Sequence, residues 1–326
     1  MAEYTKVRED IKGKTLQDDV VMYHKRQICR ECEDELNYPF GEGRGQGIII
    51  VNRDFWKKKD RNYILDADKM RVGANMDLEI LYRIYKWYGI DCQDYTYFNQ
   101  QPVKVTERGQ QIEIEQETKE DVGLGIFELV DNFCDEVNPK SPVIFVSIAT
   151  HGEKEGQLEE TKTNKPSTTV DTLVNLFVEK RKLMGIPKVF IIQACRGGHT
   201  EKAYKYKGAD GSPPVDEQLQ FATKHSNFLI IYSTTDGYKS FRSEKQGSWL
   251  LETLHKCVTF DKYQNLHFVE VVTVCTFWVI NSHRQASEDE EDSNSPKPGK
   301  ELVRATETPT FHSTLTKFLR IPVKGK

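Results

Sequence analysis

Nothing in this 326-residue chain approaches the ~20 consecutive apolar residues that a membrane helix needs. The first residues, MAEYTKVREDIKGKTLQDD, carry charge where a secretory signal has its apolar core, so export is not expected. Cysteine is scarce: seven scattered residues, an odd count, fit no disulfide framework and suit free thiols in a reducing, cytoplasmic setting. Strong charge of one sign is also missing. A formal net charge of −4 gives no reason to expect a nucleic-acid partner, and no membrane partner is expected either. Cys29-Arg-Glu-Cys32, with His24 nearby, has no second pair to complete a zinc set, so no metal is expected. The glycines from Gly41 to Gly47 precede a strand-like run, whereas phosphate-cradling loops follow one. Nucleotide binding is therefore set aside, and no cofactor is expected.

What is present is a run of short apolar segments alternating with helical patterns. Gly47–Asn52, Val143–Thr150, Pro187–Cys195 and Phe228–Thr235 read as buried strands. Met76, Ile80, Leu81, Ile84, Tyr85 and Trp87 recur at helical spacing, and helices are expected in 122–137, 168–185, 247–260 and 268–283. A final strand is expected in STLTKFLRIPV. The first ~40 residues read as a mobile leader, 98–120 as a long polar loop, 197–217 as an exposed linker, and 286–300 as an acidic loop. Continuous apolar strands interleaved with helices predict an α/β fold with a mostly parallel central sheet, covered by helices on both faces.

In such sheets reactive groups collect just past the carboxyl ends of strands. His151 and Cys195 each stand directly after a buried strand, 44 positions apart. Taken singly, a cysteine there is ordinarily a small buried hydrophobe and a histidine a satisfied polar residue. Together they make a nucleophile and its base: an imidazole can take the thiol proton and return it to a leaving amine. Gly152 offers a backbone N–H unobstructed by a side chain, and with the N–H of Cys195 it forms a two-donor oxyanion hole.

Gln193-Ala-Cys195-Arg-Gly197 is a known local signature of caspases, and the chain resembles that family from about Gly41 onward. The resemblance implies a six-stranded sheet and a Cys195–His151 endopeptidase cutting after aspartate. It places Arg71, Gln193 and Arg242 around the substrate carboxylate, with Ser240 lining the same pocket. It sets Phe241 and Tyr238 at the preceding substrate residue, and Trp249 and Ser243 further along, the substrate adding as a strand. Lys239-Ser-Phe-Arg-Ser243 departs from the family's Y-S-W-R-N, which alters preferences beyond aspartate.

The resemblance further implies a precursor cut by an upstream protease, at Asp210 first and Asp216 second. It divides the chain into a prosegment at 1–40, a large portion at 41–210 and a small portion at 211–326. The short leader resembles executioner types, with a role in apoptosis. Large/small pairs are expected to form a homodimer through the last strand, within Leu315–Pro322. Two other functions compete. A non-catalytic homologue restraining an active caspase would usually lack the Cys, the His or the arginines, all of which this chain keeps. A metacaspase-like enzyme, which accepts basic residues, would need acidic groups where Arg71 and Arg242 stand.

Overall fold

The computed structural model describes residues 36–41, 43–60, 62–103, 124–162, 167–198, 226–282, 284–287 and 302–323. Its centre is a twisted sheet whose main strands are β1 (Gly45–Val51), β2 (Thr96–Phe98), β3 (Ile144–Ala149), β4 (Lys188–Gln193), β5 (Phe228–Tyr232) and β6 (Thr310–Ser313). They lie in the order β6-β5-β4-β3-β1-β2. All neighbours are parallel except β6, which runs antiparallel to β5. Two two-residue strands, Ile90–Asp91 and Gln101–Pro102, extend the sheet beside β1 and β2. The expected six strands are thus present, with two short additions.

The central strands are apolar without alternation because both faces are covered. Ile49, Val51, Phe145, Val189, Ile191, Leu229 and Ile231 face one core. It is closed by α1 (Ala74–Tyr88), α4 (Trp249–Thr259) and α5 (Phe268–Asn281). Ile48, Ile50, Val146, Ile148, Phe190 and Ile192 face the other, under α2 (Ile126–Glu136) and α3 (Val170–Glu179). Each fully buried aliphatic or aromatic side chain contributes about 1.5–3 kcal/mol. One polar residue interrupts β3: the Ser147 hydroxyl lies 2.9 Å from the Tyr85 hydroxyl, which donates to the Ile48 carbonyl at 3.0 Å.

Capping chemistry fixes where the helices begin. Thr169 accepts the Thr172 N–H at 3.1 Å before α3. Before α5, the His267 ring accepts the Val269 N–H and Glu270 reaches back to the His267 N–H at 2.7 Å. Gly73 opens α1 at φ 84°, where a Cβ would stand 2.8 Å from the Ser243 carbonyl oxygen.

The end of the chain corrects an expectation. The last strand is Thr310–Ser313, not a segment within Leu315–Pro322. The apolar content of the latter serves the core: Leu319 is fully buried and Ile321 nearly so, inserted as irregular backbone on the α1–α5 side. The polar 98–120 segment also begins later than its composition implied, since Phe98, Gln101 and Pro102 belong to the sheet. Two paired strands, Arg284–Ser287 and Leu302–Ala305, bracket the acidic segment between α5 and β6. The segments 104–123, 199–225 and 288–301 lie outside the described residues, as do Cys29, Cys32, His24, Asp210 and Asp216.

Candidate active site

β3 and β4 are hydrogen-bonded neighbours in the middle of the sheet, with Gln193 opposite Ala149. Their carboxyl ends therefore deliver Thr150-His151 and Ala194-Cys195 side by side. One cleft there is lined by Arg71, Thr150, His151, Gln193, Ala194, Cys195, Ser240 and Arg242. Six of the sequence-derived candidates thus meet in one place.

The His151 Nε2 lies 2.7 Å from the Lys69 carbonyl oxygen. A carbonyl only accepts, so Nε2 carries the proton and Nδ1 is the ring's accepting nitrogen. The imidazole packs against Phe55, ring centroids 4.7 Å apart. Burial and then the positive Arg71 bring its pKa down to about 3, against an opposing hydrogen bond to Lys69. The free site therefore holds a neutral imidazole. Thr150 supports the His151 backbone: its N–H donates to the Gln193 carbonyl at 3.1 Å, and its hydroxyl donates to the Glu159 carbonyl at 2.7 Å. That hydroxyl also accepts from the Asn52 amide at 3.1 Å.

Cys195 is buried with its sulfur against the backbone of Ser240. The Ser240 N–H donates to Sγ at 3.3 Å, and Sγ lies 3.8 Å from the Ser240 carbonyl oxygen. Gly152 packs against the same strand end, where a Cβ would meet the Cys195 carbonyl oxygen at 2.4 Å. Only glycine fits this approach.

The guanidinium groups of Arg71 and Arg242 are almost fully buried. Arg71 donates to the Asn52 carbonyl at 2.6 Å and Arg242 to the Val72 carbonyl at 2.8 Å. Between them lies Asp77, fully buried, 3.6 Å from Arg71 and 3.9 Å from Arg242. Asp77 also accepts the Ser248 N–H and hydroxyl, each at 2.7 Å. Asp77 is thus a buried carboxylate facing both guanidinium groups. Gln193 donates its amide to the Ser240 hydroxyl, which ties the two sides of the cleft together.

The other candidates do not line the cleft. Phe241 and Trp249 stack on each other, centroids 4.8 Å apart, in a small cluster with Ala305. Ser243 is buried, its carbonyl beside Gly73, and Tyr238 is half-buried, its carbonyl accepting the Arg196 N–H at 3.0 Å. Three contributors were absent from the sequence reading. The Lys69 carbonyl is backbone and has no residue-type signal. Asp77 had one, as a lone acid within the buried stripe of α1. Glu307, fully buried, accepts the Phe241 N–H at 2.6 Å and lies far off in sequence.

Comparison with known proteins fits this geometry. The caspase-domain family model matches residues 44–320, most of the chain. The chain belongs to the caspase family. It is 33% identical to caspase-3 of Oryctolagus cuniculus over 151 residues, which is 45% of this chain and 51% of that protein. For caspase-3 of Mus musculus the figures are 34% over 161 residues, 48% and 53%. Caspase drICE of Drosophila melanogaster is 25% identical over 259 residues, 78% of this chain and 66% of that protein. The chain thus spans about half the length of the caspase-3 relatives it matches. The crystal structure of caspase-1 from Spodoptera frugiperda shares the fold, with TM-score 0.63 at 22% identity, covering 89% of this chain and 94% of that one.

Proposed function

We propose that this protein is a cysteine endopeptidase that cleaves proteins after aspartate. The observation that carries the reading is the chemistry of the cleft wall: two buried guanidinium groups stand beside the His151–Cys195 pair, and their planar forks suit a substrate carboxylate. In this reading His151 Nδ1 takes the thiol proton as Cys195 Sγ attacks the carbonyl carbon. The N–H groups of Gly152 and Cys195 receive the oxyanion. His151 returns the proton to the departing amine, and water then hydrolyses the thioester. A substrate carboxylate also offsets the Arg71 field, which adds to burial in holding His151 neutral, so the imidazole accepts its proton more readily once peptide is bound.

The decisive experiment is cleavage of paired fluorogenic peptides ending in aspartate or arginine, by the purified chain and by Cys195→Ala. Turnover of the aspartate peptide alone, lost in the variant, supports the reading. Inactivity, even after a cut at Asp210, moves the assignment to a non-catalytic homologue. Activation by cleavage in 197–217, at Asp210 and then Asp216, belongs to the same proposal, as do cytoplasmic location and a role in apoptosis. So does homodimerisation, for which the half-exposed edge strand β6 is the supporting feature.

A further inference from the structure

A hairpin at the rim of the cleft has no part in this chemistry. Its strands, Trp56–Lys59 and Asn62–Leu65, pair with Lys59 opposite Asn62, and Asp60 enters the turn at φ 56°. Both roots are tied to the site. Phe55 packs on His151 and its carbonyl accepts the Asp66 N–H at 2.7 Å, while Trp56 donates its N–H to the Thr161 carbonyl at 2.7 Å. Strand alternation puts Trp56 and Lys58 on one face with Leu65 and Tyr63 opposite them. Lys162 joins that face, its ammonium 5.3 Å from the Tyr63 ring centroid.

Lys57 and Lys59 stand on the other face, where the neighbouring carboxylates gather at Lys57. Asp66 binds it at 2.9 Å, and Asp68 acts on the same lysine. Lys58 and Lys59 have no carboxylate partner among the described residues. The run Lys57-Lys-Lys-Asp-Arg61 is thus a local reversal of sign in a chain of net charge −4. Leu65 stays 47% exposed, which adds apolar contact area beside the cations.

We propose that this ribbon docks an acidic stretch of the protein substrate, outside the residues that enter the cleft. The proposal rests on the aspartate-protease reading and extends it to the choice among proteins. An acidic polypeptide fits better than a nucleic acid. The ribbon is rooted at a peptide cleft, its cationic stretch is short, with Lys58 and Lys59 on opposite faces, and the net-negative remainder of the chain repels a long polyanion.

The test uses a carrier protein with one exposed aspartate site, with and without a run of ten glutamates on a flexible linker. Wild type is expected to cleave the tagged carrier with a KM about fivefold lower, an advantage that fades toward ~0.5 M salt. The Lys58→Glu/Lys59→Glu variant is expected to lose that advantage while keeping wild-type turnover of the short aspartate peptide. The charge-neutral Lys58→Gln/Lys59→Gln variant should fall between. Equal cleavage of both carriers by wild type, or an equal loss on carrier and short peptide, overturns the proposal. Anisotropy of fluorescein-labelled decaglutamate and of labelled poly(U) on Cys195→Ala protein reads the surface without catalysis. Decaglutamate binding that the Glu variant abolishes supports docking, and binding of poly(U) alone overturns it. Failure of all peptide cleavage sinks the protease reading, and the anisotropy still decides the ribbon.

Discussion

The two walls of the cleft are held by different forces. One wall, Thr150-His151 and Gln193-Cys195, prolongs two central strands whose ladder runs unbroken from Lys188–Ile144 to Gln193–Ala149. The other wall, Tyr238 to Trp249, has a ladder of two residue pairs, Arg242–Ser248 and Ser243–Gly247. Buried acids hold it instead: Asp77 takes Ser248 and faces both arginines, and Glu307 takes the Phe241 N–H. The His151–Cys195 pair is thus placed by backbone, and the segment that carries Arg242 by buried charge. A backbone ladder tolerates side-chain change, whereas a wall built on charge fails when its counterion is removed.

Asp77 is where that contrast breaks most visibly. Asp77→Ala leaves two buried guanidinium groups facing each other and strips both acceptors from Ser248. The expected loss of stability is about 3–5 kcal/mol. The milder Asp77→Asn keeps the volume, and is expected to lower kcat/KM on the aspartate peptide about a hundredfold. Denaturant unfolding and steady-state kinetics measure the two effects. A stable, fully active Asp77→Asn would show that the second wall does not depend on this charge.

How much of this was legible beforehand follows the same division. β3 and β4 are short apolar runs, one followed by Thr150-His151 and the other by Ala194-Cys195, so both the strands and the meeting of His151 with Cys195 in one cleft were readable. Arg71 and Arg242 were found through family motifs, and Asp77, which closes the Arg71 motif, carried no assigned role because one acid in an amphipathic helix ordinarily faces water. The hairpin at 56–65 gives no apolar alternation, since WKKK is held by cross-strand pairing and its anchored roots rather than by burial. The end of the chain misled for the opposite reason. Leu315–Pro322 is more apolar than the half-buried Thr310–Ser313, yet its apolar side chains fill the core from a loop while the latter forms the edge strand.

A pH experiment sharpens the description of the first wall. His151 is held near 3 in the folded chain, whereas an unfolded histidine titrates near ~6.5. Between these values the unfolded chain binds a proton that the native chain refuses, so stability is full above ~6.5 and falls as the pH drops toward 3. At pH 5 the His151 share of that loss is about 2 kcal/mol. His255, His267 and His312 are shifted the same way and add a common background. Unfolding at pH 7 and pH 5 should therefore show a smaller difference in His151→Asn than in the parent chain. An unchanged difference would mean that the imidazole titrates normally and that the arginine field does not reach it.

The smallest effect is expected at Thr150, and it tests the backbone side of the comparison directly. Thr150→Val keeps the shape and the N–H bond to Gln193 while removing the hydroxyl that links Asn52 to the Glu159 carbonyl. Losing those two bonds is expected to cost about 1–2 kcal/mol of stability. Asn52 retains a longer contact to the Glu159 carbonyl at 3.4 Å, which limits the loss. If the strand ladder alone positions His151, kcat on the aspartate peptide stays within about threefold of the parent value. A fall of a hundredfold would mean that side-chain bonds place the imidazole as well, and that the two walls are built on one principle rather than two.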